Sequence, residues 1–299
     1  MSDLRHFITG TELKPDELLR VIERGAGLKP SRHGGPEVLR RRSVAIMLDK
    51  PSTRTRVSFE VGVAQLGGNA VVLRSGESQL ARGESPRDTA LVLSRYVDAI
   101  VARLGEHGTI VELARWSEVP VINALTPLHH PCQALADLLT LRERFGRLDG
   151  LRLAYVGDGN NVCHSLMLLG AAVGVEVAVA CPPDFMPNEE IVREAGDQVS
   201  VGEDPRAAAK DAHALYTDVW VSMGDEAEAD ARRAALAPYR LDEALLAEAR
   251  DDAIVLHCLP AHPGEEITEG LLYGDRSAVW DQAENRLHAQ KALLELLLG

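Results

Sequence analysis

The chain has 299 residues, enough for two domains that each own a core. Hydrophobic residues make up 45% and charged residues 26%, the balance of a globular protein in water. A formal net charge of −13 argues against nucleic acid or an anionic membrane as partner, though a few arginines can still set the local field of a cleft.

Residues 1–5 are polar and charged with no apolar h-region, and no apolar run is long enough to cross a bilayer, so a cytoplasmic location is expected. Short apolar runs then alternate with amphipathic stretches. The runs predict strands at 43–48, 69–73, 99–102, 119–123, 151–156, 175–180, 213–217 and 253–257. Helical patterns separate them, among them 53–66, 85–96, 131–145 and 162–173. The alternation predicts an α/β fold of two doubly wound parallel-sheet domains with helices on both faces. The expected domains are 1–145 and 146–284, with the boundary near 146–150 and the apolar-striped helix at 285–299 packing back on the first. Cys132, Cys163, Cys181 and Cys258 show no CxxC spacing and read as reduced thiols.

The segment Ser52-Thr53-Arg54-Thr55-Arg56 follows the first strand and opens a helix. Ser52 is a suitable N-cap, and a helix start leaves backbone N–H groups without partners. Those donors, the positive end of the helix dipole, the hydroxyls and a guanidinium together suit a phosphate. An ordinary capped helix with solvated charges is the plainer alternative. His130-Pro131-Cys132-Gln133 opens another helix, with proline in the tolerated first turn and His130 and Gln133 on one side of its mouth. A histidine there tends to stay neutral and can donate to a carbonyl, and a glutamine offers the donor and acceptor that an amide needs. Arg103, just past the run 99–102, is one more candidate cation.

Three features stand at strand ends in the second half: Asn161 in Gly157-Asp158-Gly159-Asn160-Asn161, Asp218 ahead of Ser222-Met223-Gly224, and His257-Cys258-Leu259-Pro260. Ligands of open parallel sheets bind beyond the carboxyl ends of the strands. Asp218 suits an ammonium group, and Asn161 with the turn amides suits a carboxylate, which together describe a zwitterionic amino acid. Gly157-x-Gly159 also has part of a dinucleotide fingerprint, but Val162 stands where the third glycine belongs and no acidic residue closes the run 175–180. His257, Cys258 and His262 could be imagined as metal ligands, yet neighbours 257 and 258 on a strand point to opposite faces.

Taken together in order along the chain, these motifs resemble the aspartate/ornithine carbamoyltransferase family. Ser-Thr-Arg-Thr-Arg (52–56) and His-Pro-x-Gln (130–133) mark the family; Asp-x-Trp-x-Ser-Met-Gly (218–224) and His-Cys-Leu-Pro (257–260) mark its ornithine branch. The resemblance implies two α/β domains, a catalytic homotrimer with active sites between subunits, and no cofactor or metal. It implies carbamoyl transfer from carbamoyl phosphate to the δ-amine of L-ornithine, giving citrulline in arginine biosynthesis. Carbamoyl phosphate would be bound by Ser52, Thr53, Arg54, Thr55, Gln79, Arg103, His130, Gln133 and Arg286, with Gln79 on a loop that reaches a phosphate site. Ornithine would be bound by Asn161, Asp218, Ser222, Met223, Cys258 and Leu259; Arg54, Arg103, His130 and Cys258 would serve catalysis.

One departure stands out. The family usually continues His-Cys-Leu-Pro-Ala-His with Arg-Gly, and here Pro263-Gly264 follows, so a positive charge expected near the amino-acid site is missing. Carbamoylation of putrescine or aspartate, a non-catalytic binding protein on the same fold, and a nicotinamide-dependent oxidoreductase are the alternative readings.

Overall fold

The computed structural model describes residues 4–30, 36–74, 76, 79–221 and 226–299. The chain divides into two compact units, Met1–Leu139 with Asn285–Gly299, and Thr140–Glu284.

The first unit holds four strands: β1 (Ser43–Leu48), β2 (Asn69–Arg74), β3 (Ala99–Arg103) and β4 (Val121–Leu125), all parallel in the order β2-β1-β3-β4. Buried on both faces, β1 reads Val-Ala-Ile-Met-Leu without alternation, as a central parallel strand must. By contrast β2 is an edge strand and leaves Val71 partly in water. Helices Pro15–Leu28, Thr53–Gln65, Pro86–Leu93 and His107–Trp116 surround the sheet, and Ile100, Ala102, Ile110 and Leu113 fill one layer of the core. The next strand neighbour of β1 lies to one side as β2 and to the other as β3, so the winding reverses between β1 and β3. Asp49 N donates to Arg103 O at 3.0 Å across that point, and Asp49 Oδ2 accepts from Gly105 N at 3.2 Å. In open parallel sheets, ligands bind beyond the carboxyl ends of the strands where the winding reverses. The chain carries Ser52–Arg54 and Arg103 there.

The second unit holds β5 (Arg152–Val156), β6 (Glu176–Ala180), β7 (Val199–Gly202), β8 (Ala214–Thr217) and β9 (Ile254–His257), parallel in the order β7-β6-β5-β8-β9. Here the winding reverses between β5 and β8, which places Gly157–Asn161 and Asp218 at the reversal. Thr217 Oγ1 donates to Val156 O at 2.7 Å and ties the two strand ends together. Ala154, Val156, Leu215, Val255 and Leu271 belong to one core.

The strand β7 was not expected from the sequence. It is a short edge strand of four residues, three of them exposed, so its signal lacks the apolar run by which the other eight are read. The helix expected at 85–96 ends at Leu93. The last helix starts earlier than 285, spanning Val279–Leu298. Among the described residues no helix is long and apolar enough to cross a membrane.

Candidate functional site

In the first unit, Ser52 has extended backbone (φ −152°) and caps the helix Thr53–Gln65, accepting from Thr55 N at 3.4 Å. Its hydroxyl also donates to Thr55 Oγ1 at 3.1 Å. Arg286 Nη2 donates to the same Thr55 oxygen at 3.5 Å, and its Nη1 donates to Gln133 Oε1 at 2.7 Å. With both lone pairs of Thr55 Oγ1 engaged, its own O–H is left to donate. Gln133 is fixed too: its Nε2 donates to the buried Asp137 at 2.8 Å, so the amide orientation follows from its partners at both ends. Arg56, although part of the motif, turns away to Glu60 at 2.8 Å.

His130 is buried beside this cluster, and its pKa lies well below the ordinary 6.5. Burial contributes most, followed by the positive charges of Arg286, Arg103 and Arg54. The sequence suggested a neutral histidine because it opens a helix; the physical cause here is burial plus three guanidinium groups. That crowding defines the site's electrostatics. A neutral imidazole stands among three cations. Thr53 is exposed at the first turn of the capped helix. Gln79 is exposed, on the loop before the short turn Leu80–Arg82, and no hydrogen bond ties its side chain to the cluster among the described residues. Cys132, two residues past His130, is a structural thiol: burial pushes it up to about 12, and it donates to Asn123 O at 3.3 Å.

In the second unit the centre is Asp218, nearly buried at the end of β8. Its Oδ1 accepts from Cys258 Sγ at 2.8 Å and from Val219 N at 2.8 Å, and its Oδ2 from Asn160 Nδ2 at 2.7 Å. Asn160 also caps the helix Asn161–Ala172, accepting from Val162 N at 2.9 Å and Cys163 N at 3.3 Å, and from Tyr155 O–H at 3.1 Å. Sequence reading singled out Asn161 and passed over Asn160. The missed signal was positional, since the residue before a helix's first turn is the one whose side chain is fixed by capping. Asn161 itself is half-buried at the helix start. Arg232 was missed as well. It pairs with Asp158, donates to Trp220 O at 2.7 Å, and lies over the Phe185 ring at 4.8 Å. It comes from a helix far along the chain, so no local pattern marks it.

Leu259 has a left-handed backbone (φ 61°), held by donation from its N–H to His257 Nδ1 at 2.9 Å. The expectation that residues 257 and 258 point apart fails: donor atoms of Asp218, His257 and Cys258 lie within 4.8 Å of one another. The reason is that β9 ends at His257, so the pleat no longer governs Cys258. Ser222 and Met223, both expected at this site, lie outside the described residues.

The glycine pair after β5 has a structural explanation. Gly157 has φ 133°, and a Cβ at Gly159 would meet Phe185 O at 2.7 Å and Met186 C at 2.8 Å. Backbone of the chain itself occupies the space beside Gly159 that a dinucleotide's pyrophosphate needs.

Family models cover both units. The carbamoyl-P binding domain of aspartate/ornithine carbamoyltransferase matches residues 5–143, and the Asp/Orn binding domain matches residues 149–297. The chain belongs to the aspartate/ornithine carbamoyltransferase family. It is an enzyme, a carbamoyltransferase. It is 56% identical to the ornithine carbamoyltransferase of Acidothermus cellulolyticus over 302 residues, 99% of this chain and 97% of that protein. It is 53% identical to the ornithine carbamoyltransferase of Methanoculleus marisnigri over 300 residues, 99% of this chain and 97% of the relative. Among solved structures, the ornithine carbamoyltransferase of Pyrococcus furiosus superposes with a TM-score of 0.93 at 45% identity, covering 97% of this chain and 96% of that one.

Proposed function

We propose that this carbamoyltransferase moves the carbamoyl group of carbamoyl phosphate onto the δ-amine of L-ornithine, releasing citrulline and phosphate. The observation that carries the first half is the crowding of Arg54, Arg103 and Arg286 around a neutral, buried His130 at the reversal of the first sheet. In this reading the capped helix start at Ser52 and Thr53 and the Arg54 guanidinium hold the phosphate. Gln133 and His130 engage the carbamoyl amide and carbonyl, Arg286 locks Gln133 and Thr55 in place, and Gln79 reaches the phosphate of a neighbouring subunit in a homotrimer. The amine half rests on Asp218, which Asn160 and Cys258 hold from two sides. Asp218 takes the α-ammonium of ornithine, Asn161, Ser222 and Met223 the α-amino-acid end, and Cys258 and Leu259 the reacting amine.

The chemistry follows. A free δ-amine attacks the carbamoyl carbon, the carbonyl oxygen gains negative charge, and Thr55 O–H, Arg103 and His130 donate to it. Preorganised donors of this kind usually supply the largest part of the rate. The C–O bond to phosphate then breaks as the amine proton passes to the departing phosphate oxygen, and Arg54 with the helix amides stabilises the hydrogen phosphate dianion that leaves. Cys258, whose S–H donates to Asp218, orients the amine and forms no acyl intermediate. The family names of the full-length relatives support ornithine over aspartate, and the expected setting is arginine biosynthesis in the cytoplasm, which four cysteines outside any disulfide fit.

The deciding experiment compares steady-state turnover of ornithine, putrescine and aspartate with carbamoyl phosphate, alongside an Arg54→Ala control. Ornithine should be the preferred amine by a wide margin. Equal use of putrescine would remove the α-carboxylate role and overturn the assignment of the second half.

A further inference from the structure

Glu266 is a fully buried carboxylate in the turn that follows Cys258 and Leu259. Its Oε1 accepts from His257 Nε2 at 3.1 Å and from the His262 backbone N–H at 2.5 Å. Its Oε2 is shielded from solvent and accepts no hydrogen bond. Natural proteins seldom leave a buried polar atom so, and an ion is one of the partners that satisfies it. His262 Nδ1 stands 3.9 Å from Oε2, too far for a hydrogen bond. A zinc ion with bonds of about 2.0–2.2 Å to nitrogen and oxygen spans that separation, and a few tenths of an ångström of closure brings the angle toward tetrahedral.

A third donor is present. One ligand atom each from His262, Glu265 and Glu266 lies within 4.8 Å of the others. The turn is already shaped: Glu265 N donates to His262 O at 2.9 Å, Gly264 N donates to Ile267 O at 2.8 Å, and Gly264 has φ 95°. Pro263 brings no charge to it. Glu265 now pairs with the exposed Arg233 at 3.1 Å, a contact that solvent screens and that a metal ion outcompetes. Oε1 keeps its bonds to His257 and the His262 amide while Oε2 takes the metal, so loading the site leaves the Leu259 turn in place.

We propose that His262, Glu265 and Glu266 bind a divalent transition-metal ion, with imidazole and carboxylate donors and water completing the shell. The ion clamps the turn 262–266. The proposal does not rest on which amine the enzyme carbamoylates. A second donor group, Asp218, His257 and Cys258, must be silenced in the test because its thiol also attracts zinc.

The test is calorimetric titration of the whole protein with zinc chloride, carried out on Cys258→Ser. One equivalent should bind. Adding His262→Ala should weaken binding by about tenfold or more, as loss of a ligand does, while Arg233→Ala should tighten it by freeing Glu265. His262 is exposed, so its replacement leaves the fold intact, and thermal unfolding without zinc checks this. Zinc should raise the unfolding temperature of Cys258→Ser more than that of the double variant. Equal zinc affinity with and without His262, or no heat from Cys258→Ser, overturns the site.

Discussion

Arg54 is the residue on which the first half of the reaction turns most directly. It is half-buried at the first turn of a capped helix, and its charge is one of three that hold His130 neutral. Arg54→Ala should lower kcat/KM for carbamoyl phosphate by about 10²–10³, the usual loss for one donor to a charged transition state, with the unfolding temperature little changed. His130 gives a prediction with a definite sign. Its folded pKa lies below the unfolded value of 6.5, so the unfolded chain binds the extra proton first. Stability is therefore fully present above that value and falls as pH drops through it, by at most about 1.4 kcal/mol per pH unit for one such group. His130→Asn should flatten part of that slope in urea unfolding measured above and below pH 6.5; an unchanged slope would sink the linkage. Asn160 is legible only in retrospect. Its side chain serves as helix cap and as holder of Asp218 at once, so Asn160→Ala should raise the ornithine KM more than it affects carbamoyl phosphate.

At the scale of elements, the parallel strands were easy to read because burial on both faces demands unbroken apolar runs. The edge strand β7 and the early end of the helix at Leu93 were not, since neither has a two-sided apolar environment to impose a pattern. The turn after β5 shows the same limit. Two glycines there resemble a phosphate-binding loop, yet the geometry assigns Gly159 to close passage of the segment 185–187. Gly159→Ala should destabilise the protein by about 1–3 kcal/mol, the cost of forcing atoms into a packed interior, measured by chemical unfolding. Ser52→Ala should cost about 1 kcal/mol through the lost cap, and should also weaken carbamoyl phosphate binding.

At the scale of the whole molecule, catalysis by this scheme needs a free δ-amine, an alkylammonium whose ordinary pKa is near 10.4. Turnover at subsaturating ornithine should therefore climb with pH through the neutral range, and a flat profile would point to an amine delivered already deprotonated. A homotrimer is expected to sediment at three times the 32.4 kDa chain mass, and the phosphate role of Gln79 depends on that assembly. Mixing Gln79→Ala subunits with Arg54→Ala subunits should restore a fraction of the activity if Gln79 acts across subunits.

Motifs set next to strand ends fix which residue types stand where, because the phosphate cradle, the His-Pro-x-Gln helix mouth and the Asp218 segment are each local in the chain. The tertiary structure decided which of them meet. Arg286 reaches Thr55 and Gln133 from the far end of the chain. Asn160, on the turn after β5, secures Asp218, and Arg56 is drawn off to Glu60. Local patterns follow from backbone periodicity and capping, which neighbouring residues dictate; partnerships between distant side chains depend on strand order and burial, which only the folded sheet fixes.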